Sequence, residues 1–478
     1  MDSPRVLEIP TMRSAVIRIF GHYMNRRLLL QVVFDFGLIV ALMIAAFLLY
    51  VERSSLSISL VSATATQGFS LAAAVFVINT ASGFYQPSHG RTFGQTCARA
   101  ALASMFALPV AYFIFRLLPV DAVGGEVMGT AAMISVAAVI AHRVYAAHSS
   151  STAMGRSRVL ILGSGVAAQT VGKTLRDSDP FVEIVGYVRA PNEKQMAVPV
   201  AELITLEKTL AATAARADVS EIVVALTERR GGSMPMRDLL DCKIQGIMVC
   251  DLATHFERRL GQIRIDYVNA GWLIFGDGFN QGVFRPAVKR VVDIVIALLL
   301  LAVSAPVILL TMALIALSSR GPIFYTQPRV GLNGKPFKVI KFRSMKTDAE
   351  LDGTPRWALA GDDRVTPLGK VIRKFRIDEL PQLINVLKGE MSMVGPRPER
   401  PFFVDKLVDD IPYYSVRHSV KPGLTGWAQV RYHYGATVDD SQQKLQYDLY
   451  YVKNHTLFLD LLIMLETVAV VLTGKGAH

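Results

Sequence analysis

The sequence predicts a membrane protein in three parts. These are a four-helix transmembrane bundle over residues 1–150, a Rossmann-like α/β domain over 156–270, and a second α/β domain over 285–478 with a re-entrant membrane helix at 291–317. Three observations predict it. Hydrophobic residues make up 51% of the 478-residue chain and charged residues only 19%, with a mean hydropathy of +0.36, too apolar for a soluble protein of this length. Four early apolar stretches each approach the roughly 20 residues that cross a bilayer as a helix. After them comes a buried-strand run ending in a glycine-rich turn, the opening of a doubly wound domain.

The apolar stretches run near 28–51, 67–85, 97–118 and 127–147. Arg26 and Arg27 precede the first, Arg91 and Arg99 lie between the second and third, and Arg143, Arg156 and Arg158 follow the fourth. Positive charge marks the cytoplasmic side, so both ends of the bundle are expected there. Asp35 falls inside the first span and is read as half of a structural ion pair. No cleavable signal is apparent, because the first span is too long and lacks a small-residue cleavage site. The net charge of +12 lies beside apolar segments and around one acidic pair. It is read as facing lipid headgroups and phosphates, not nucleic acid. Three cysteines without C-x-x-C spacing support neither a disulfide framework nor a zinc site.

In the second part, Arg158 to Leu162 reads as a buried strand and Gly163-Ser164-Gly165-Val166-Ala167-Ala168 as a phosphate-type loop opening a helix. Further strands are expected at Glu183 to Val188, Glu221 to Leu226 and Gly246 to Cys250. The second strand ends in Tyr187-Val188-Arg189-Ala190, with no acid to hold a ribose hydroxyl. A scaffold without turnover is therefore favoured over nucleotide sensing. Asp177-Ser178-Asp179 is read as a turn.

The segment 291–317 has Pro306 near its middle and basic residues at both ends, Lys289 and Arg290, then Arg320 and Arg329. Each half is too short to span, so a helix–break–helix that enters and leaves the same leaflet is expected. Beyond it, Arg329 to Met345 reads as a basic hairpin, Asp362-Asp363-Arg364 as a solvated run or a substrate or metal contact, and Trp427 as an interface-favouring side chain. The apolar C-terminal segment from Tyr451 to Thr473 carries Asp460 and Glu466 and suits a helix packed on the membrane face.

The chemistry concentrates at Arg373 to Ser392. Adjacent Asp378 and Glu379 precede an apolar stripe of Leu380, Leu383, Ile384 and Leu387, which places them in the first turn of a helix, where Pro381 is tolerated. Helix N-termini favour anions, and Arg373, Arg376 and Arg397 add fixed cations. A plain acidic N-cap is the simpler account of such a pair. A rigid Gly395-Pro396-Arg397-Pro398 turn and a ring of arginines favour chemistry on an anionic substrate.

This stretch resembles the signature of the bacterial sugar transferases, the polyprenyl-phosphate hexose-1-phosphate transferases of the monotopic phosphoglycosyl transferase superfamily. The resemblance covers roughly residues 285 to 478. It rests on Lys289-Arg290 with Asp293, Gly321 to Phe324, Arg329 to Phe337, Lys341-Phe342-Arg343-Ser344-Met345, the Asp-Glu-Leu-Pro-Gln run, Gly-Pro-Arg-Pro and Lys421 to Trp427. One departure is Ala305-Pro306 at the membrane break, where the family has Ser-Pro and this chain has Ser304 one place early.

The resemblance implies transfer of a sugar 1-phosphate from a UDP-sugar to undecaprenyl phosphate, with UMP released, as the first step of exopolysaccharide or capsule assembly. It implies Asp378 as nucleophile, Glu379 as metal ligand or proton handler, and Mg²⁺ held by the pair. Arg373, Arg376, Arg397, Lys341, Arg343, Asp363 and Arg364 are the expected phosphate-binding residues. The runs Tyr432 to Ala436 and Leu445 to Tyr451 most resemble exopolysaccharide-initiating members, many of which use glucose. The implied location is the bacterial inner membrane, with the catalytic and Rossmann-like domains cytoplasmic, membrane lipids as partners and room for a homodimer. Two rivals belong to other classes. A noncatalytic scaffold with a nucleotide-sensing Rossmann domain would have no need of the dyad. An NAD-dependent oxidoreductase would need a Tyr-x-x-x-Lys pair, which the sequence lacks.

Overall fold

The computed structural model describes residues 16–19, 22–50, 58–82, 93–117, 125–148, 157–178, 182–191, 193, 196–207, 209–226, 234–268, 278–279, 284–318, 320–346, 362, 364–432 and 437–473. They fall into two compact units, the second built on the segment Val268–His478.

The chain opens with two short strands, β1 (Val16–Ile19) and β2 (His22–Asn25), and continues with helices α1 (Arg26–Tyr50), α2 (Ile58–Ala81), α3 (Phe93–Leu117) and α4 (Gly125–His148); of these, His22 and the end of α2 from Val77 belong to the second unit and the rest to the first. Of these, α1 and α2 are long and apolar enough to cross a membrane; the apolar cores of α3 and α4, Ala103–Ile114 and Gly129–Tyr145, are shorter. Helix α2 begins nine residues before the expected 67, in a stretch rich in Ser and Thr. Those hydroxyls do not interrupt the helix, since Ser62, Thr64 and Thr66 donate back to the carbonyls of Ser59, Leu60 and Ser62. Asp35 is an ion-pair residue, but its partner comes from α4: Arg143 Nε donates to Oδ2 at 2.6 Å, and His142 Nδ1 lies 3.0 Å from Oδ1.

The α/β domain follows with β3 (Ser157–Leu162), α5 (Val166–Ser178), β4 (Val182–Val188), α6 (Leu210–Arg216), β5 (Glu221–Val224), α7 (Met236–Ile244), β6 (Met248–Asp251) and α8 (Leu252–Leu260). Its four strands are parallel in the order β4-β3-β5-β6. Strand β3 lies between two cores, so its side chains divide by parity. Val159 and Ile161 pack with Val171, Leu175 and Phe256, while Leu160 and Leu162 pack with Leu210, Ala214, Leu239 and Cys242. That is why the strand reads as an unbroken apolar run. At the start of β5 the buried Glu221 accepts from Cys250 Sγ, His255 Nδ1 and Arg259. Burial alone would raise its pKa, but these donors hold the carboxylate well below its usual range.

In the second unit α9 (Phe284–Ser318) is helical throughout its 35 residues, with Pro306 inside. No unwound residue marks the break expected at Pro306. A proline removes one backbone hydrogen bond and crowds one carbonyl, which a helix can carry without unwinding. Burial divides α9 into three parts. Asp293 and Ala297 are buried near its start and Thr311 and Ile315 near its end, while Leu298, Leu299, Val303, Leu309 and Leu310 between them are exposed. Strands β7 (Phe324–Val330) and β8 (Pro336–Phe342) form the expected antiparallel hairpin. Then come α10 (Pro367–Lys374), α11 (Gln382–Lys388), β9 (Ser392–Val394), α12 (Pro401–Asp410), β10 (Gly423–Thr425), α13 (Trp427–Arg431), α14 (Val438–Asn454) and α15 (Leu457–Thr473).

Trp427 is a core residue here, 2% exposed, stacked on Tyr450 and covered by the Arg431 guanidinium. The residue that closes this core is distant in sequence. His22 is buried with its Nδ1 2.7 Å from the Tyr450 hydroxyl and its ring edge-on to Trp427. The acids of α15 are engaged too: Asp460 accepts from Lys289 and Tyr451, and Glu466 accepts from Arg431 through Oε1.

Candidate active site

Asp378 and Glu379 do not begin an α-helix as the periodicity predicts. They lie on a single 3₁₀ turn, Ile377–Glu379, and α11 starts only at Gln382. Arg376 introduces this turn in the left-handed region at φ 54°, a conformation that costs a non-glycine residue about 1–2 kcal/mol. The turn swings the dyad out of the helical line and buries both carboxylates, Asp378 at 8% and Glu379 at 7% exposure. The buried face of α11 also departs from the predicted stripe. It comprises Gln382, Leu383, Asn385 and Val386, whereas Ile384 is exposed.

Asn385 is the residue that sequence reasoning missed. Fully buried, it accepts from the Ile340 amide at 3.0 Å and donates to the Lys338 carbonyl at 2.8 Å and to Glu390 at 2.7 Å. It thereby latches β8 to α11 and brings Lys341 to the dyad. No local signal marks it, because Asn385 lies off the stripe of Leu380, Leu383, Ile384 and Leu387 that the helical phase predicts. Arg290 of α9 ties off the other end of α11 by donating to the carbonyls of Val386 and Leu387 at 2.5 and 2.6 Å.

The two carboxylates have different surroundings. Arg397 donates to Glu379 Oε1 at 2.6 Å and Oε2 at 3.4 Å, Lys341 Nζ donates to Oε1 at 3.2 Å, and Arg376 lies 3.8 Å from Oε2. Among the described residues, no side chain hydrogen-bonds Asp378. Burial and the neighbouring Glu379 charge push the Asp378 carboxyl up to about 6, against the pull of Lys341, Arg373 and Arg397. Burial would raise Glu379 too, but Arg397 and Lys341 hold it well below the usual carboxylate range. The dyad is thus split into one clamped anion and one unclamped, more basic carboxylate.

Of the expected phosphate-binding residues, Lys341, Arg376 and Arg397 converge on Glu379, and Arg373 acts on Asp378 through its charge. Two are engaged elsewhere. Arg343 is buried and donates to the Arg320 carbonyl, and Arg364 forks onto Asp362 at 2.6 and 2.8 Å. Asp363 lies outside the described residues. Backbone bonds fix the turn that carries Arg397: Gly395 donates to Thr425 and Gly423 to Pro396. A Cβ on Gly395 would fall 2.3 Å from the Lys421 carbonyl oxygen, so only glycine fits this approach.

The glycine-rich loop of the first unit is filled by the protein itself. The Glu193 carboxylate accepts from the Ser164 amide at 2.8 Å, the Gly165 amide at 2.9 Å and the Ser164 hydroxyl at 2.8 Å. These are the groups that would face a nucleotide phosphate.

A buried carboxylate pair ringed by cations, in a unit that also carries a long apolar helix, fits the class of membrane-associated sugar transferases. The chain belongs to the bacterial sugar transferase family, whose model matches residues 284–474. It is 44% identical over 242 residues to the UDP-N-acetylgalactosamine-undecaprenyl-phosphate N-acetylgalactosaminephosphotransferase of Aeromonas hydrophila, a match spanning 51% of this chain and 56% of that protein. It is 43% identical over 192 residues to the uncharacterized sugar transferase EpsL of Bacillus subtilis, covering 39% of this chain and 89% of the relative. Similarity to the UDP-glucose:undecaprenyl-phosphate glucose-1-phosphate transferase of Caulobacter vibrioides is 44% over 192 residues, 40% of this chain and 72% of that one.

Proposed function

We propose that this protein transfers a hexose 1-phosphate from a UDP-sugar to undecaprenyl phosphate, releasing UMP, through a covalent intermediate on Asp378. The observation that carries this reading is the split dyad. A nucleophile must be ionised and unencumbered, and among the described residues Asp378 is the carboxylate of the pair without a side-chain hydrogen bond. Its Oδ attacks the phosphorus next to the sugar, the bond from that phosphorus to the bridging oxygen breaks, and UMP leaves with the electron pair. An oxygen of the lipid phosphate then attacks the same phosphorus and expels the carboxylate. Both steps bring anion to anion, so the cations around Glu379 do electrostatic work. Lys341, Arg376 and Arg397 hold the clamped carboxylate and leave donor directions for the diphosphate.

The donor set suits Mg²⁺, which binds through one or two carboxylates together with substrate phosphates rather than in an all-protein cage. Asp378 and Glu379 supply such a pair, and among the described residues no third acidic, His or Cys donor joins them. When bound, the ion supplies charge neutralisation on the diphosphate.

The burial pattern of α9 supports a re-entrant helix. Both ends rest on the second unit while the apolar middle is bare, which fits a segment dipping into one leaflet and placing the dyad at headgroup depth. With α9 bent at Pro306 so that both halves return to one side, the catalytic domain faces the cytoplasm of the bacterial inner membrane, as does the α/β domain that follows the four expected spans α1 to α4. Glucose and N-acetylgalactosamine are the donors to test first, since they appear in the names of the relatives. The experiment is UMP release by detergent-purified protein with Mg²⁺, undecaprenyl phosphate and a panel of UDP-sugars, beside Asp378→Asn. Release with one donor, abolished in the variant, is the expected result. Undiminished release from Asp378→Asn would rule out the covalent route.

A further inference from the structure

The Arg397 side chain is 43% exposed, yet its guanidinium must meet Glu379 at 2.6 Å. A half-exposed arginine is aimed in part by the main chain that carries it, and that main chain is held on both sides of Arg397. Neighbouring carbonyls are held from the hairpin side, where Arg329 donates to Pro398 and the Val330 amide to Glu399. The Arg397 carbonyl is held from the opposite side by Arg417, whose Nη2 donates to it at 2.9 Å.

Arg417 is itself locked. Its Nε and Nη2 donate to Asp448 Oδ2 at 3.1 and 2.8 Å, and its Nη1 donates to the Tyr414 hydroxyl at 2.8 Å. Both charges are withdrawn from water, with Arg417 7% and Asp448 2% exposed. A buried ion pair is a poor source of stability, because an apolar pair of equal volume serves as well or better. Its value lies in fixing geometry, and here the spare donor of the pair is aimed at the main chain of an active-site arginine.

We propose that Asp448 and Arg417 are positioning residues for the reaction, acting as a relay that fixes the Arg397 main chain and so aims its guanidinium at the dyad. The relay gives the Leu445–Tyr451 run of α14 a part in the site that it does not touch directly. It rests on the reading of Asp378 and Glu379 as the reacting pair.

Arg417→Lys keeps a charge for Asp448 but loses the fork that reaches Arg397. Turnover per folded molecule is expected to fall roughly 10–100-fold with the UDP-sugar KM within about threefold, because the lost contact aims a group that acts in the transition state. A purely structural pair would lower the unfolding temperature and leave turnover per folded molecule unchanged. A double-mutant cycle isolates the relay: in an Arg397→Lys background, Arg417→Lys should cost far less than in the native chain. Full additivity, or unchanged turnover of Arg417→Lys, would overturn the proposal. Should Arg417→Lys fail to accumulate, Tyr414→Phe removes only a neutral partner and must show the same signature at smaller amplitude, or the proposal falls. Survival of turnover in Asp378→Asn would overturn the site reading instead, and the cycle would still decide the relay.

Discussion

Arg397 and Glu379, 18 positions apart in sequence, form the closest ion pair of the dyad, with Nη2 2.6 Å from Oε1 and Nη1 3.4 Å from Oε2. The fork engages both oxygens of one carboxylate and leaves its neighbour alone. That asymmetry distinguishes two residues that are adjacent and chemically similar.

Arg397→Ala should lower turnover by roughly 10²–10³-fold, the scale seen when one preorganised charge-stabilising donor is removed. Arg397→Lys should recover only part of this, because a point charge cannot engage both oxygens. Steady-state UMP release with the preferred donor is the check. A lysine variant as fast as the native enzyme would show that charge alone suffices.

The pH dependence follows from Asp378. Its pKa is pushed up to about 6, and only the ionised carboxylate can attack phosphorus. Turnover should therefore rise with pH through that region and level off above it, falling about tenfold per unit below. In Glu379→Gln the neighbouring negative charge is gone, so the midpoint should move down. An upward shift would show that Glu379 does not act on Asp378 through its charge.

Glu193 makes the glycine-rich loop self-contained. Glu193→Ala leaves the Ser164 and Gly165 amides without their acceptor, which should cost about 1–3 kcal/mol of stability in the α/β domain. Thermal unfolding measures this directly. With the carboxylate in place, NADH and UDP should leave the native unfolding temperature unmoved. A nucleotide-dependent rise in the native protein would mean that Glu193 yields to phosphate.

His22 is buried against Tyr450 and Trp427, and burial pushes its pKa down to about 4. The imidazole is neutral in the folded state, while in the unfolded chain it protonates near 6.5. The stability it contributes is complete above about pH 6.5 and is lost as pH falls toward about 4, by roughly 3 kcal/mol in all. Removal of residues 1–150 takes His22 with the membrane helices and opens this core. Such a truncation should retain some turnover, because α9 supplies its own membrane segment, but with a lower unfolding temperature than the full chain. His22→Phe, which fills the space without titrating, should flatten the acid loss.

Much of this was legible in the residues. Val159 to Leu162 announced a strand buried on both faces, and Asp378 with Glu379 announced a site. What escaped was whatever depends on partners far away along the chain. Nothing local places Glu193 in the loop at Ser164, Asn385 on the edge of β8, or Arg417 under Arg397, because side-chain hydrogen bonds across long separations leave no periodicity. The 3₁₀ turn at the dyad was hidden by Leu380 and Pro381, which look equally at home in a first helical turn. Helix α2 was read short because serines and threonines count as polar in a tally, although their hydroxyls are satisfied within the helix.

The contact between His22 and Tyr450 also sets an order of assembly. The two residues are 428 positions apart. At roughly 5–20 residues per second, the ribosome delivers the second about 20–90 s after the first. During that interval His22 lacks Tyr450, and the core around Trp427 closes only when the last helices emerge. A chain that stalls or is cut before α14 therefore cannot close that core, and completion of synthesis becomes a condition for a finished catalytic unit.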